Sequence, residues 1–269
     1  MSDYEHIIYE KKDHVATLTF NFPEKLNAMD SLMTRELMDV LPDVQSDTSV
    51  RVLLLTGAGR GFCSGADVRE FRPDTHTERT AGKGEQLYYR QPMPSSPVPR
   101  FMHDTVRKPV VVAINGIAAG AGYGMAMAAD IRIASTNASF SHVYLRRALI
   151  PSAELWWLQH IVGIGMARHL LFTNKDIDAE EALRIGLITQ LSEPDKLMDE
   201  AWEIAAQIAD GPPVATQWAK VLMDKAMDLS YDDAQYLSGL ARGLSQPSGE
   251  FSEGVRSFLE KRQPEFTAE

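Results

Sequence analysis

Two glycine-rich turns constrain the fold of this 269-residue chain more than any other feature. The first spans 61–68 and the second spans 115–124, and each follows a short apolar segment, at 51–56 and 109–114, that is predicted as a strand buried on both faces. Each turn also opens a predicted helix, where the first N–H groups lack partners and carry partial positive charge. Two such turns aimed at one point could therefore bind a developing oxyanion.

Tight packing and dinucleotide binding are alternative roles for these turns. Glycines between a strand and a helix often serve tight packing alone. The pattern Gly116-x-x-x-Gly120-x-Gly122 also resembles a dinucleotide-binding turn. Against dinucleotide binding, the turn lies in the middle of the chain, the helix after it is short, and the next strand ends at 135–137 without the acid that would bind a ribose.

Hydrophobic periodicity divides the chain into a strand-rich part and a helical part. Alternating residues predict a hairpin over 6–20, and a capped helix follows at 30–45. Beyond residue 151 strands nearly vanish, and amphipathic patterns predict helices at 155–173, 178–186, 194–210, 213–227, 231–243 and 251–261. We predict an α/β core over 1–195 that contains the active site, and a helical C-terminal region over 196–269.

The segments around the second turn complete this outline. Residues 69–99 are first charged and then proline-rich, which predicts an exposed lid. A short helix is predicted at 100–107. After the second turn, we expect a helix that ends near 129 and a strand at 131–134.

Composition excludes several classes of function. The formal net charge of −10 disfavours general binding to nucleic acid or to an anionic membrane. The single cysteine, Cys63, excludes an internal disulfide and a cysteine-rich zinc site, and we expect no metal. No run approaches 18 uncharged apolar residues, and the N-terminus resembles neither a signal peptide nor a transit peptide. These features predict a cytoplasmic protein.

Five motifs resemble those of the crotonase (enoyl-CoA hydratase/isomerase) superfamily, in the order and at the spacing of that family. They are Lys25-Leu26-Asn27-Ala28, Ser64-Gly65-Ala66-Asp67-Val68, the stretch 108–116, the stretch 129–134 and the ending 254–262. The resemblance implies a spiral of short ββα turns with a helical C-terminal trimerisation region. It also implies a homotrimer or a dimer of trimers.

The same resemblance implies the binding residues. An oxyanion hole would use the N–H groups of Ala66 and Ala121. Coenzyme A would enter as part of an acyl-CoA substrate, with no separate cofactor. The residues expected to contact it are Lys25, Leu26, Ala28, Ser64, Ala66, Asp67 and Val68, with Phe258 and Lys261 reaching it from a neighbouring subunit.

The acid/base residues of a hydratase are missing from their usual positions. Addition of water to an enoyl thioester needs paired acid/base groups. Hydratases that resemble this chain carry two glutamates where it has Gly124 and Tyr144. Glycine has no side chain, and a phenol with a pKa near 10 is a poor base at neutral pH. Hydration by a glutamate pair is therefore disfavoured.

Glu154 is the carboxylate that remains near the site. Some isomerases of the family work with one acid in the turn after Tyr144, and a similar subgroup places it directly after the proline, where this chain has Ser152. Glu154 is the only carboxylate of segment 150–157, although an early helical glutamate can also serve only the helix dipole. His142 is a further acid/base candidate, as in hydrolase members of the superfamily.

The remaining candidates are expected to have structural roles. Cys63 lacks an identifiable base and is expected to be a small buried residue, and Trp156 and Trp157 are expected to pack the acyl pocket or the core. We therefore predict an acyl-CoA enzyme that stabilises a thioester enolate, with double-bond isomerisation favoured over hydration. The alternatives are a catalytically weak CoA-binding homologue and a carbon–carbon or thioester hydrolase.

Overall fold

The computed structural model describes residues 4–70, 97–151 and 154–267. Its strands are β1 (Ile7–Lys12), β2 (Val15–Phe20), β3 (Val52–Gly57), β4 (Gly61–Cys63), β5 (Val110–Ile114), β6 (Ile117–Ala119), β7 (Ile131–Ser135), β8 (Ser139–Ser141), β9 (Ile177–Asp178) and β10 (Gln190–Ser192). Its α-helices are α1 (Ser31–Ser46), α2 (Pro97–Thr105), α3 (Ala121–Met127), α4 (Glu154–Val162), α5 (Ile164–Thr173), α6 (Ala179–Arg184), α7 (Leu197–Ala209), α8 (Pro213–Ala226), α9 (Tyr231–Ser245) and α10 (Glu250–Glu260).

The strands form two sheets that the chain visits alternately. The larger sheet has the order β1-β2-β3-β5-β7-β10, and the smaller has the order β4-β6-β8-β9. Each of the successive pairs β3 and β4, β5 and β6, and β7 and β8 therefore gives one strand to each sheet. Apart from the hairpin β1–β2 and the pair β8–β9, neighbouring strands are parallel. This spiral and its helical C-terminal region confirm the predicted α/β class.

Strand β3 is buried on both faces, as its apolar sequence predicts. Leu53 and Leu55 belong to the main hydrophobic core. Val52 and Leu54 point the other way, into a second apolar cluster formed with α7. Side chains alternate across a strand, so a run of large aliphatic residues can fill two cores only when both faces are covered.

Helix α1 shows how the local sequence fixes an element. The carboxylate of Asp30 accepts a hydrogen bond of 2.9 Å from the backbone N–H of Met33, which caps the helix N-terminus. Met33, Leu37 and Val44 follow at helical spacing and are buried. The predicted helix at 30–45 is confirmed, as is the predicted hairpin.

The structure corrects two predictions. Strands β4 and β6 lie within segments predicted as turns, because three residues give almost no periodic signal. The single helix predicted at 155–173 is two helices, because Gly163 adopts a φ of 78° between α4 and α5. The predicted lid at 69–99 lies for the most part outside the described residues.

Helix α7 packs on the larger sheet. Its buried residues Leu197, Ala201 and Ala205 lie in the cluster that contains Val52 and Leu54. The division of the chain at residue 195 stays a prediction. In the described ranges, no helix combines the length and the apolar character that crossing a membrane requires.

Candidate active site

The two glycine-rich turns pack directly against each other. Gly65 has a φ of 99°, and a β-carbon at this position would lie 2.8 Å from the carbonyl oxygen of Ala119 and 3.4 Å from the backbone nitrogen of Ala121. A β-carbon at Gly122 would lie 2.2 Å from the carbonyl oxygen of Cys63. Both glycines are therefore required by close backbone approach. The two turns therefore lie together in the fold.

The N–H groups of Ala66 and Ala121 lie on these adjacent backbones. Ala121 is the first residue of α3, where an N–H has no intrahelical acceptor. The Gly65 carbonyl accepts from Met29 N–H at 2.8 Å and the Asp67 N–H donates to the Met29 carbonyl at 3.0 Å, which fixes the backbone on both sides of Ala66. Neither the Ala66 nor the Ala121 N–H donates a hydrogen bond to another described residue. Among the described residues, nothing therefore occupies these two donors.

The motif that begins at Lys25 is held against the first turn. Asn27 is fully buried, its amide nitrogen donates to the carbonyl oxygens of Ala58 at 2.9 Å and Gly61 at 2.7 Å, and its amide oxygen accepts from Phe22 N–H at 2.8 Å. Ser64 N–H donates to the Leu26 carbonyl at 3.0 Å. The structure thus brings together the two motifs predicted to bind coenzyme A, and Asn27 is the positioning residue that the sequence did not single out.

Charged groups surround Asp67 at the same place. Its carboxylate accepts two hydrogen bonds of 2.8 Å from the Arg69 guanidinium and lies 3.5 Å from the Lys25 ammonium. These contacts, with the Arg69 hydrogen bonds as the largest cause, lower the pKa of Asp67 to about 2. Ala28, the last residue of the first motif, is buried. Val68, which follows Asp67, is exposed. Lys25 therefore has Asp67 as its carboxylate partner.

Phe258 lies in the last turn of α10, and Lys261 follows the last residue of this helix. The Phe258 ring is 81% exposed. Lys261 is also exposed. Their contribution to a site in a neighbouring subunit stays a prediction.

Glu154 is the most unusual ionisable residue of the site. It is the first residue of α4, yet it is only 1% exposed, and neither carboxylate oxygen has a hydrogen-bond partner in the described part of the chain. Burial raises its pKa from 4.5 to about 8. A carboxyl group that costs so much to ionise is uncommon outside functional sites.

Two tyrosines connect Glu154 to the second turn. A β-carbon at Gly120 would lie 3.9 Å from Cζ of Tyr144, which places that ring beside the turn. Burial, and secondly the charge of Glu154, raises the pKa of Tyr144. The same two causes, in the same order, raise the pKa of Tyr123, whose buried hydroxyl has no hydrogen-bond partner among the described residues. Tyr123 was missed because it sits in an apolar helical run and has the pattern of a core residue.

His142 lies below the second turn and packs against Tyr123. The two rings are 4.4 Å apart in an edge-to-face arrangement. His142 is 2% exposed, and both ring nitrogens lack a hydrogen-bond partner in the ranges described. Burial lowers its pKa from 6.5 to about 4, against the opposing charge of Asp176. The imidazole is therefore neutral at physiological pH.

The remaining candidates have structural surroundings. Cys63 is fully buried, and burial raises the pKa of its thiol to about 12, so it is not a nucleophile at neutral pH. Trp157 packs on the main core and lies edge-on to His103 at 5.2 Å. In the described residues, no three metal-binding side chains are grouped.

Comparisons with known proteins identify the family of the chain. The model of the enoyl-CoA hydratase/isomerase family matches residues 10–269. The chain belongs to the enoyl-CoA hydratase/isomerase family. This confirms the resemblance to the crotonase superfamily, and the protein is an acyl-CoA enzyme of that family.

Several relatives show the range of activities in the family. The chain is 35% identical to the short-chain-enoyl-CoA hydratase of Clostridium acetobutylicum over 98% of both chains. It is 34% identical to the 1,2-epoxyphenylacetyl-CoA isomerase of Escherichia coli, also over 98% of both. The solved structure of an enoyl-CoA hydratase from Bacillus anthracis has a TM-score of 0.85 and 29% identity, and the match covers 98% of this chain and 100% of that one.

Proposed function

We propose that the protein isomerises the double bond of an enoyl-CoA thioester, with Glu154 transferring the proton. The observation that carries this proposal is the carboxyl group of Glu154, which is buried, has no hydrogen-bond partner among the described residues, and belongs to a helix that contacts α3. The two positions where related hydratases carry glutamates hold Gly124 and Tyr144 here, and neither residue has a carboxyl group. We therefore assign the proton transfer to Glu154. Relatives include both hydratases and an isomerase, so we choose between these reactions from the acid/base residues that this chain carries.

The N–H groups of Ala66 and Ala121 would hold the thioester oxygen. As a proton leaves the carbon next to the thioester, negative charge develops on this oxygen, and two fixed donors stabilise it. One such donor typically contributes about 100-fold or more in rate. Backbone donors need no particular side chain, so alanine at both positions is compatible with this role.

One carboxyl group is sufficient for isomerisation. The ionised Glu154 takes a proton from carbon 2 of a 3-enoyl thioester, which leaves a dienolate with its oxygen on the two N–H groups. The neutral carboxylic acid then returns the same proton to carbon 4, and the double bond now joins carbons 2 and 3. Hydration would also need a second group to activate water. A pKa of about 8 suits a group that both accepts and donates a proton near neutral pH.

The coenzyme A part of the substrate would lie along the two motifs that meet at the first turn. Lys25, Leu26 and Ala28 form one side, and Ser64, Asp67 and Val68 form the other. Phe258 and Lys261 would complete the site from a neighbouring subunit of a homotrimer or a dimer of trimers. In this proposal coenzyme A arrives as substrate, and no separate cofactor takes part. The cytoplasmic location stays a prediction.

Turnover of a 3-enoyl-CoA, measured beside hydration of crotonyl-CoA, tests the proposal. Glu154→Gln nearly preserves the shape of the side chain and replaces the carboxyl group by an amide that cannot act as a base, so isomerisation should fall by about 100-fold or more. Glu180→Gln is the matched control, because Glu180 is an exposed glutamate in the first turn of α6. Its activity should equal that of the unmodified protein.

Three outcomes would contradict the assignment. Full activity of Glu154→Gln with loss of activity in His142→Ala would favour a hydrolase or hydratase-like reaction. Hydration of crotonyl-CoA without isomerisation would reverse the proposed preference. Binding of acyl-CoA without any turnover would identify a catalytically weak CoA-binding member of the family.

A further inference from the structure

A groove of about 170 Å³ runs between α4 and α5. Leu158 and Ala167 line it and are only 3% and 7% exposed, so they form its floor. Ile164 and Phe172 also line it and are 53% and 67% exposed, so they form its rim. Gly163, with a φ of 78°, separates the two helices that form the groove.

Glu154 lines the same groove. Its carboxyl group is buried and unpartnered in the described chain, which is the second observation that makes this groove more than a gap between helices. Glu154 is thus the residue that relates the groove to the second glycine-rich turn, because its charge acts on Tyr144, whose ring lies beside Gly120. A ligand in the groove would therefore lie next to the proposed base.

We propose that this groove binds the acyl group of the substrate, and that it selects a compact apolar acyl group of about the size of a phenyl ring. This inference rests on the proposed function, because Glu154 must lie within hydrogen-bond reach of the reacting carbons. A chain that continues beyond those carbons then enters the groove between Leu158 and Ala167.

The volume of the groove sets the size of the group. An apolar cavity of about 150 Å³ binds benzene. A groove of about 170 Å³ has room for one ring and little more. A four-carbon acyl group would leave most of this apolar surface in contact with water, and a long chain would have to extend past the exposed rim. The groove is therefore expected to bind both shorter and longer acyl groups less favourably than a group of this size.

Calorimetry with saturated, unreactive thioesters tests this inference separately from the chemistry. Burial of one aromatic ring should make 4-phenylbutanoyl-CoA bind about 10- to 100-fold more tightly than butanoyl-CoA. The increase in affinity over butanoyl-CoA should be smaller for palmitoyl-CoA than for 4-phenylbutanoyl-CoA. Because no bond changes in these ligands, failure of Glu154 as a base would leave this selectivity intact.

Two variants locate the selectivity in the groove. Ala167→Leu fills the floor and should bring the ratio of the two dissociation constants close to 1. Phe172→Ala removes part of the rim without disturbing the core and should lower the ratio by about 3- to 10-fold. His169→Ala is the matched control, because His169 is exposed on the same helix and does not line the groove.

The contrary outcomes are distinct. Equal binding of the three thioesters, or an unchanged ratio in a folded Phe172→Ala variant, would place the acyl group elsewhere. Loss of oligomers in Phe172→Ala with the ratio unchanged would show that a second subunit covers the groove. Absence of binding by every thioester would instead contradict the proposed coenzyme A site.

Discussion

A glutamate in the first turn of a helix usually stays in water, where the helix dipole stabilises its charge. Glu154 has this position in α4 but is almost completely buried. The sequence identifies it only by elimination, because burial depends on how α4 packs over the second turn. The same limit applies to Tyr123, since its apolar neighbours predict a core residue and its isolated hydroxyl is visible only in three dimensions.

The raised pKa of Glu154 predicts how stability depends on pH. Between its ordinary pKa of 4.5 and its folded value of about 8, the folded protein binds more protons than the unfolded protein. The free energy of unfolding should therefore fall as pH rises through this window. Glu154→Gln cannot titrate, so its melting temperature relative to the unmodified protein should increase from pH 5 to pH 9. Given 1.36 kcal/mol per pKa unit, the free energy of unfolding of Glu154→Gln, relative to that of the unmodified protein, should increase by at least about 1 kcal/mol over this range.

Thermal unfolding of both proteins across this pH range measures the effect. Glu180→Gln serves as the control, because an exposed glutamate should give a difference that does not change with pH. If the curves of Glu154→Gln and the unmodified protein run parallel, the carboxyl group of Glu154 is already ionised in the folded state. Its proposed role as a proton shuttle near neutral pH would then be lost.

At the scale of elements, hydrophobic periodicity predicts the helices and strands that are long enough to show a repeating pattern. The hairpin, α1, β3, β5 and most C-terminal helices were confirmed within a few residues. Strands β4 and β6 were not predicted, because a three-residue strand depends on pairing with distant segments and not on its own pattern. The break at Gly163 was also missed, because a glycine inside an amphipathic pattern can equally well be tolerated.

The first turn of α3 allows a direct test of the oxyanion hole. Ala121→Pro removes one proposed donor at a helix position where proline is tolerated, because no intrahelical hydrogen bond is lost there. Turnover should fall by about 100-fold or more while acyl-CoA affinity changes much less. Ala179→Pro is a matched control, since Ala179 is also a buried alanine at the first position of a helix, α6. Unchanged turnover in a folded Ala121→Pro variant would rule out this donor.

At the scale of the whole molecule, the last helices present apolar side chains that one chain leaves uncovered. Phe251, Phe258 and Leu259 on α10 are between 69% and 81% exposed. Exposed apolar surface of this kind marks contact with another molecule. A single sequence shows the composition of these helices but not what covers them, so the contribution of Phe258 and Lys261 to a neighbouring site stays a prediction.

Subunit mixing can test that contribution, because it separates sites built within one chain from sites shared between two. Glu154→Gln should abolish chemistry, and Lys261→Glu should weaken binding of the coenzyme A phosphates by charge repulsion. If Lys261 serves the neighbouring subunit, a Lys261→Glu chain keeps its own Glu154 and receives an intact Lys261 from a Glu154→Gln neighbour. Random reassembly of equal amounts in a closed ring should then restore activity to about one quarter of that of the unmodified protein at subsaturating substrate. Reassembly of each variant with itself is the control and should restore nothing. If Lys261 serves its own chain, the mixture should show only the average of the two variants, and the site would be complete within one subunit.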